Sequence, residues 1–212
     1  QRVVLNGINL QWAHAISSVI QGSVLGPVLF VIFINDLDLA ISDKNTRIYK
    51  YADDSKFGRP VRSPADAKAL QSAIDDVWSW SNKWGMEIHP GKTHVLHFGY
   101  NNPEYDYTRN GSKKTAVRST RDLGIIIDDS CSPTEHVVAV TKKANGILSQ
   151  LSQTLLCRNK DVIVKHCKIF VRPIIESSGV AWRPWEQKDI NHLKKIQRRA
   201  TRLVLFNMAH WL

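Results

Sequence analysis

A chain of 212 residues is long enough to bury a core, in one large domain or two small ones. With 43% hydrophobic residues and 7 Trp it is not a disordered segment, and its longest apolar run, VLFVIFI from Val28 to Ile34, falls well short of the roughly 20 residues that span a bilayer. A formal charge of +10, from 29 Lys and Arg against 19 Asp and Glu, favours a polyanionic partner, nucleic acid first, over an acidic small molecule.

In chain order, the pattern begins with a hairpin. Val3 to Leu5 and Ile8 to Trp12 flank Asn6-Gly7, two residues that tolerate positive φ. A loop then leads to Gln21-Gly22. Pro27 fits the first turn of a helix that runs to about Asp36, and the apolar run inside it reads as a buried helix. Strands are expected from Thr46 to Ala52 and from Ser55 to Phe57, with Asp53-Asp54 at their turn. Ser63, Pro64 and Asp66 give the capped start of a helix whose apolar positions Leu70, Ile74, Val77 and Trp84 keep helical spacing.

Val95 to Phe98 ends a short strand, Asn101 to Ser112 reads as a polar loop, and DLGIII from Asp122 to Ile127 as another strand. Beyond DDSCSP the period is purely helical, through Val137, Val140, Ala144, Ile147, Leu148, Leu151 and Leu155. The last helix, KDINHLKKIQRRATRLVLF, carries Ile190, Leu193, Ile196, Ala200, Leu203 and Val204 on one face. Its other positions hold Lys188, Lys194, Lys195, Arg198, Arg199 and Arg202. A boundary near Ser132 to Thr134 thus separates a mixed α/β part from a basic, all-helical part.

Cys131, Cys157 and Cys167 form neither an even framework nor a CxxC pair, which points to reduced thiols in a nuclear or cytoplasmic setting. His166 beside Cys167 lacks a second pair at zinc-finger spacing, so packing outranks zinc. The chain opens on Gln1 with no Met before Met86, and it reads as a piece of a longer protein.

The adjacent carboxylates of Asp53 and Asp54 are the feature that chemistry must explain. Consecutive strand residues point to opposite faces, so a regular strand could not bring both to one ion. A hairpin turn loosens that limit and lets them reach a hard cation such as Mg²⁺, which favours carboxylate oxygens, water and phosphates. Turn chemistry alone also explains an Asp-Asp pair, and Asp128-Asp129, after another apolar strand, has the same local pattern.

Context separates the two pairs. YADD, Tyr51 to Asp54, resembles the catalytic motif of reverse transcriptases, and its flanks resemble those of non-long-terminal-repeat (LINE-like) retrotransposons. QGSVLGPVLFVIFINDL resembles the preceding Gln-Gly loop and helix, and WGMEIHPGKTHVLHFG resembles the following motif, with Lys92 and Thr93 at its Lys-Thr. TRDLGIIIDDSCSPTEHV is similar to the Leu-Gly strand and downstream His of the primer grip. KIFVRPIIESSGVAW and LKKIQRRATRLVL are similar to the helical thumb.

The resemblance covers nearly the whole chain and implies an α+β fold: a partial polymerase palm, an antiparallel sheet with helices, over 1–132, then an all-helical thumb-like region over 133–212. It also implies a two-metal phosphoryl transfer onto a primer 3′-hydroxyl, with Mg²⁺ or Mn²⁺ as cofactor and an RNA template, a DNA primer and deoxynucleoside triphosphates as partners. No membrane partner is expected.

In that scheme Asp53 is a direct metal ligand and Asp54 a ligand or electrostatic support. Lys92 neutralises or protonates the leaving pyrophosphate, unless it is an ordinary solvated lysine. Gln21 and Gly22 lie against nucleotide or template, while Tyr51 either touches the primer end or packs in the hairpin. Arg198, Arg199 and Arg202 follow the template-primer backbone.

The family also supplies a metal-binding Asp upstream of the Gln-Gly loop, yet residues 1–20 contain no Asp or Glu. That ligand is expected in the upstream remainder of a parent polyprotein, and this chain alone is expected to be inactive. Ser18 and Ile20 replace a usual Gly and Pro, His89 a frequent Asn, and Ser177 an aromatic that often follows. A non-catalytic nucleic-acid-binding remnant of a decayed element is the alternative that such drift suits.

Overall fold

Asn6 and Gly7, both at positive φ (49° and 80°), close a two-residue turn between β1 (Val4–Leu5) and β2 (Ile8–Asn9), the hairpin that the NG pair predicts. The computed structural model describes residues 2, 4–12, 14, 22–109, 111–155 and 159–206. They fall into two compact units, Gln1–Pro90 with Tyr107–Lys113, and Gly91–Asp106 with Lys114–Leu212.

In the first unit, α1 (Gly26–Ile34) starts with Pro27 in its first turn, where the missing N–H costs nothing. The short α2 (Leu37–Ala40) follows, then the antiparallel pair β3 (Arg47–Tyr51) and β4 (Asp54–Gly58). Ser63 and Asp66 form a reciprocal capping box at the start of α3 (Pro64–Trp84), and Gly85 ends it in the left-handed region. The core of this unit gathers Ile34, Leu37, Val77 and Trp80, with Phe30, Ile48 and Phe57 partly buried against them.

The expectation that the apolar run of α1 is buried is overturned. Of that helix only Ile34 is buried, while Val31 and Ile32 are 60% and 67% exposed. The helix is apolar all round, but among the described residues its neighbours in the unit cover one side alone, where Phe33 meets Trp80 edge-on at 5.9 Å.

The chain next forms a 3₁₀ turn, Pro90–Lys92, and the strand β5 (Val95–Leu96) of the second unit. It returns to the first unit as a small hairpin, β6 (Thr108–Arg109) with β7 (Ser112–Lys113), inside the stretch that reads as a loop. Side chains of α3 explain the departure. The Gln71 carboxamide accepts from the Thr108 N–H and donates to its carbonyl, both at 2.9 Å, as a neighbouring strand would, and the Arg109 guanidinium stacks over Trp78.

In the second unit β8 (Ala116–Val117) pairs parallel with β5, and the predicted Leu-Gly strand is half of a hairpin, β9 (Ser119–Asp122) with β10 (Ile125–Asp128). Its turn, Leu123-Gly124, has φ of 46° and 86°, and Leu at such a φ gives no turn signal in the sequence. Everything described beyond β10 is helical or loop: α4 (Thr134–Thr154), α5 (Lys160–His166), a π-helical segment Cys167–Val171, α6 (Arg172–Glu176), α7 (Gly179–Trp182) and α8 (Gln187–Phe206).

The predicted apolar faces of α4 and α8 meet in a core of Ala144, Leu148, Leu151, Val171 and Ile196. Cys167 packs against that core, as its sequence context suggests. Asp189, 1% exposed, accepts a 2.8 Å hydrogen bond from the Thr134 hydroxyl and so ties the first turn of α8 to that of α4. His136 is buried beside them, its Nδ1 accepting from the Ile126 N–H at 3.2 Å and its ring 4.9 Å from Trp182.

Candidate active site

The β3–β4 register sets the site. Ile48 faces Phe57 and Lys50 faces Ser55 on the packed side of the hairpin, so the alternate residues Arg47, Tyr49, Tyr51, Asp54 and Lys56 occupy the open side. Tyr51 and Asp54 are the last paired residues, and Ala52 and Asp53 make the turn. Ala52 takes φ 50° and Asp53 remains at negative φ, the pattern in which the first turn position normally favours glycine.

Asp53 and Asp54 are both exposed, and among the described residues neither carboxylate takes a hydrogen bond or an ion pair. The rival pair differs in just this respect. Asp128 accepts 2.7 Å from the Ser132 N–H and 3.0 Å from the Ser130 hydroxyl, so its carboxylate is consumed by a turn. Tyr51 is 66% exposed and is not packed into the hairpin.

Lys50 is a residue that sequence reasoning missed. Its ammonium donates to the carbonyls of Ile34 and Asn35, each at 3.1 Å, and lies 2.6 Å from the Asp38 carboxylate. It therefore caps the C-terminal end of α1, where helix carbonyls lack partners and a cation is favoured, and holds the hairpin against that helix. The available signal was alternation: a lysine at an inward position needs anionic or carbonyl partners. Behind it, the Trp80 indole N–H donates to Asp36 at 2.9 Å and the Ser42 N–H to Asp76 at 2.9 Å, fixing the α1–α2 segment to α3.

Gly22 is exposed with φ 87°, a backbone that an L side chain would strain, and nothing lies within 4 Å of where a Cβ would stand. Gln21 lies outside the described residues. Lys92 is exposed at the end of the 3₁₀ turn and belongs to the second unit, whereas Tyr51, Asp53 and Asp54 are gathered in the first.

On α8, Arg199 donates to the Asn145 side chain and to the Ser149 hydroxyl, both at 2.8 Å, so its guanidinium is engaged with α4. Arg202 shares with it a small cleft over Leu148 and Leu203. Burial, and then the charge of Arg121, pushes the His136 imidazole below its ordinary pKa. No group of three or more His, Cys, Asp or Glu able to hold a metal occurs among the described residues, and none of their helices is long and apolar enough to cross a membrane.

The family description for reverse transcriptase (RNA-dependent DNA polymerase) matches residues 4–127. The chain is 30% identical over 193 residues to the RNA-directed DNA polymerase from mobile element jockey of Drosophila funebris, a match that covers 84% of this chain and 20% of that protein. It is 23% identical over 206 residues to the probable RNA-directed DNA polymerase from transposon BS of Drosophila melanogaster, covering 87% of this chain and 22% of the relative. The chain thus spans about a fifth of the length of these curated relatives. No solved structure matches significantly. With the family match running through the hairpin that presents Asp53 and Asp54, the chain belongs to the reverse transcriptase family, of the non-long-terminal-repeat retrotransposon kind that its ordered motifs resemble.

Proposed function

We propose that the chain is the palm (1–132) and thumb (133–212) portion of an RNA-directed DNA polymerase that extends a DNA primer along an RNA template, inside the nucleus or cytoplasm. The observation that carries this reading is the unpartnered, exposed carboxylate pair at the β3–β4 turn, within a chain whose net charge suits a polyanion.

The family uses divalent metal ions, and two free carboxylates are the oxygen donors that Mg²⁺ or Mn²⁺ prefers. Asp53 and Asp54 would hold the metal, which when bound supplies a Lewis acid for the primer hydroxyl and for the charge on the triphosphate. The chain's own residues then have separate tasks. Gly22 lets backbone approach the nucleotide or template closely, with Gln21 beside it offering a donor and an acceptor. Tyr51 offers an aromatic face to the primer end, and Lys92 a charge to the leaving pyrophosphate. Arg198, Arg199 and Arg202 lie on the helix that follows the duplex backbone. A further acidic ligand is expected in an upstream part of a parent polyprotein, because residues 1–20 hold no Asp or Glu and the chain spans about a fifth of its relatives' length, so these 212 residues should not extend a primer alone.

Primer extension on an RNA template with Mg²⁺, using the complete polymerase, tests the reading. Asp53→Asn should remove nearly all synthesis, as loss of a metal ligand does, while Asp128→Asn should leave most of it. Equal losses would show that the wrong acid pair has been chosen, and wild-type synthesis by Asp53→Asn would end the catalytic assignment.

A further inference from the structure

At the end of the hairpin opposite the acid pair, the chain builds a second charged feature. Lys44, Asn45, Arg47, Arg59, Arg62 and Asp66 line a cleft of about 690 Å³ in the first unit. The floor is rigid. Arg59, whose side chain is 10% exposed, donates to Asp43 at 2.9 Å and to Asp66 at 2.6 Å, and its buried Nε–H has no acceptor. Asp66 is further occupied by the Ser63 hydroxyl and by the N–H groups of Arg62 and Ser63.

Both nearby carboxylates are therefore spent on Arg59 and on the helix cap. Lys44, Arg47 and Arg62 form no ion pair among the described residues, so three cations face the cleft without compensation. The surplus, with two planar guanidinium forks, suits a ligand with several charged oxygens, and phosphate is the biological group of that kind.

Position on the strand narrows the source. Arg47 stands on the open side of β3, and the next two residues on that side are Tyr49 and Tyr51, which are 61% and 66% exposed. Beyond them comes Asp54, the register partner of Tyr51. At about 3.3 Å per strand residue, Arg47 lies about 13 Å from Tyr51, the rise of about four nucleotides of a stacked strand. Aromatic rings between a cationic end and the acid pair form a surface on which bases stack.

We propose that this cleft binds a backbone phosphate of a nucleic-acid strand whose neighbouring nucleotides pass over Tyr49 and Tyr51 toward Asp53 and Asp54. The site deepens the polymerase reading and depends on it only for the identity of the strand; binding here needs no catalysis.

The test is fluorescence anisotropy of a short labelled single-stranded RNA on the full chain, without divalent metal and over a range of salt. The combined variant Lys44→Gln, Arg47→Gln, Arg62→Gln should weaken binding at least tenfold and lower the salt slope by about two, since each single-strand contact contributes about 0.7. A charge-keeping variant, Arg47→Lys with Arg62→Lys, should retain the slope, which separates lost charge from lost fold. Affinity and slope unchanged in the glutamine variant would overturn the site. So would pyrophosphate binding that the glutamine variant abolishes but that RNA does not compete with, since that marks a small-anion pocket apart from the RNA path. Failure of primer extension by the complete polymerase would defeat the catalytic reading and leave this binding result standing.

Discussion

Ala52 carries the tightest local constraint of the acid-pair hairpin. An L residue in the left-handed region costs on the order of 1–2 kcal/mol, and Ala52, at φ 50°, bears that cost beside the two carboxylates. Ala52→Gly should therefore hold or raise the unfolding free energy, by up to about 1 kcal/mol once glycine's own entropy loss is offset. Ala52→Val should lower it, because a branched Cβ tolerates positive φ least. Urea unfolding of the three chains gives the order, and valine at or above wild type would remove strain from the description of this turn. His136 makes a pH prediction. Its folded pKa lies below the unfolded value near 6.5, through burial first and Arg121 second. The stability this neutral ring contributes is complete above about pH 6.5 and is lost as pH falls through the folded value, because the unfolded chain takes up the proton first. His136→Gln, which keeps an oxygen for the Ile126 N–H, should shrink the drop in melting temperature between about pH 7.5 and pH 5.5. An undiminished drop would assign that titration to other histidines.

Among the elements, α8 divides its arginines between two tasks. Arg199 is held by Asn145 and Ser149, whereas Arg198 and Arg202 have no hydrogen bond or ion pair among the described residues. Arg198→Gln with Arg202→Gln should lower the salt slope for RNA:DNA hybrid binding by up to about two phosphate contacts without shifting the melting temperature. Arg199→Gln should do the reverse, lowering the melting temperature and sparing the slope. Titrations over salt, with thermal melts of each variant, separate the two, and equal slopes for all would leave the α8 charges as a solvated face. Elements with local signals were legible in the sequence: the Asn6-Gly7 turn, the Ser63–Asp66 cap, and the apolar spacing of α4 and α8. What escaped depends on partners distant in sequence. β9 was hidden because Leu123 sits in a turn whose φ it disfavours, the β6–β7 hairpin because Gln71 of α3 supplies its hydrogen bonds, and Lys50 because its partners are carbonyls at the end of another helix.

At the scale of the whole molecule, the proposal for Asp53 and Asp54 rests on ordered motifs, since Asp128-Asp129 ties with that pair in local pattern and differs in having its first carboxylate consumed. Burial was the least legible property, and α1 shows why: hydrophobicity says that a surface wants cover but not whether this chain supplies it. Val28, Leu29, Val31 and Ile32 leave a continuous oily stripe in water, beyond the scattered exposure usual for a monomer. That stripe decides how the isolated chain behaves at the bench. Light scattering should show clustering that grows with protein concentration and persists in high salt, because oil-like contact is not screened as charge is. Exchanging Leu29 and Ile32 for Gln should abolish the clustering and leave the urea midpoint nearly unchanged, since neither side chain is buried. Clusters that dissolve in salt would trace instead to the protein's excess of positive charge, and the purification of these 212 residues would then call for ionic strength in place of a covered helix.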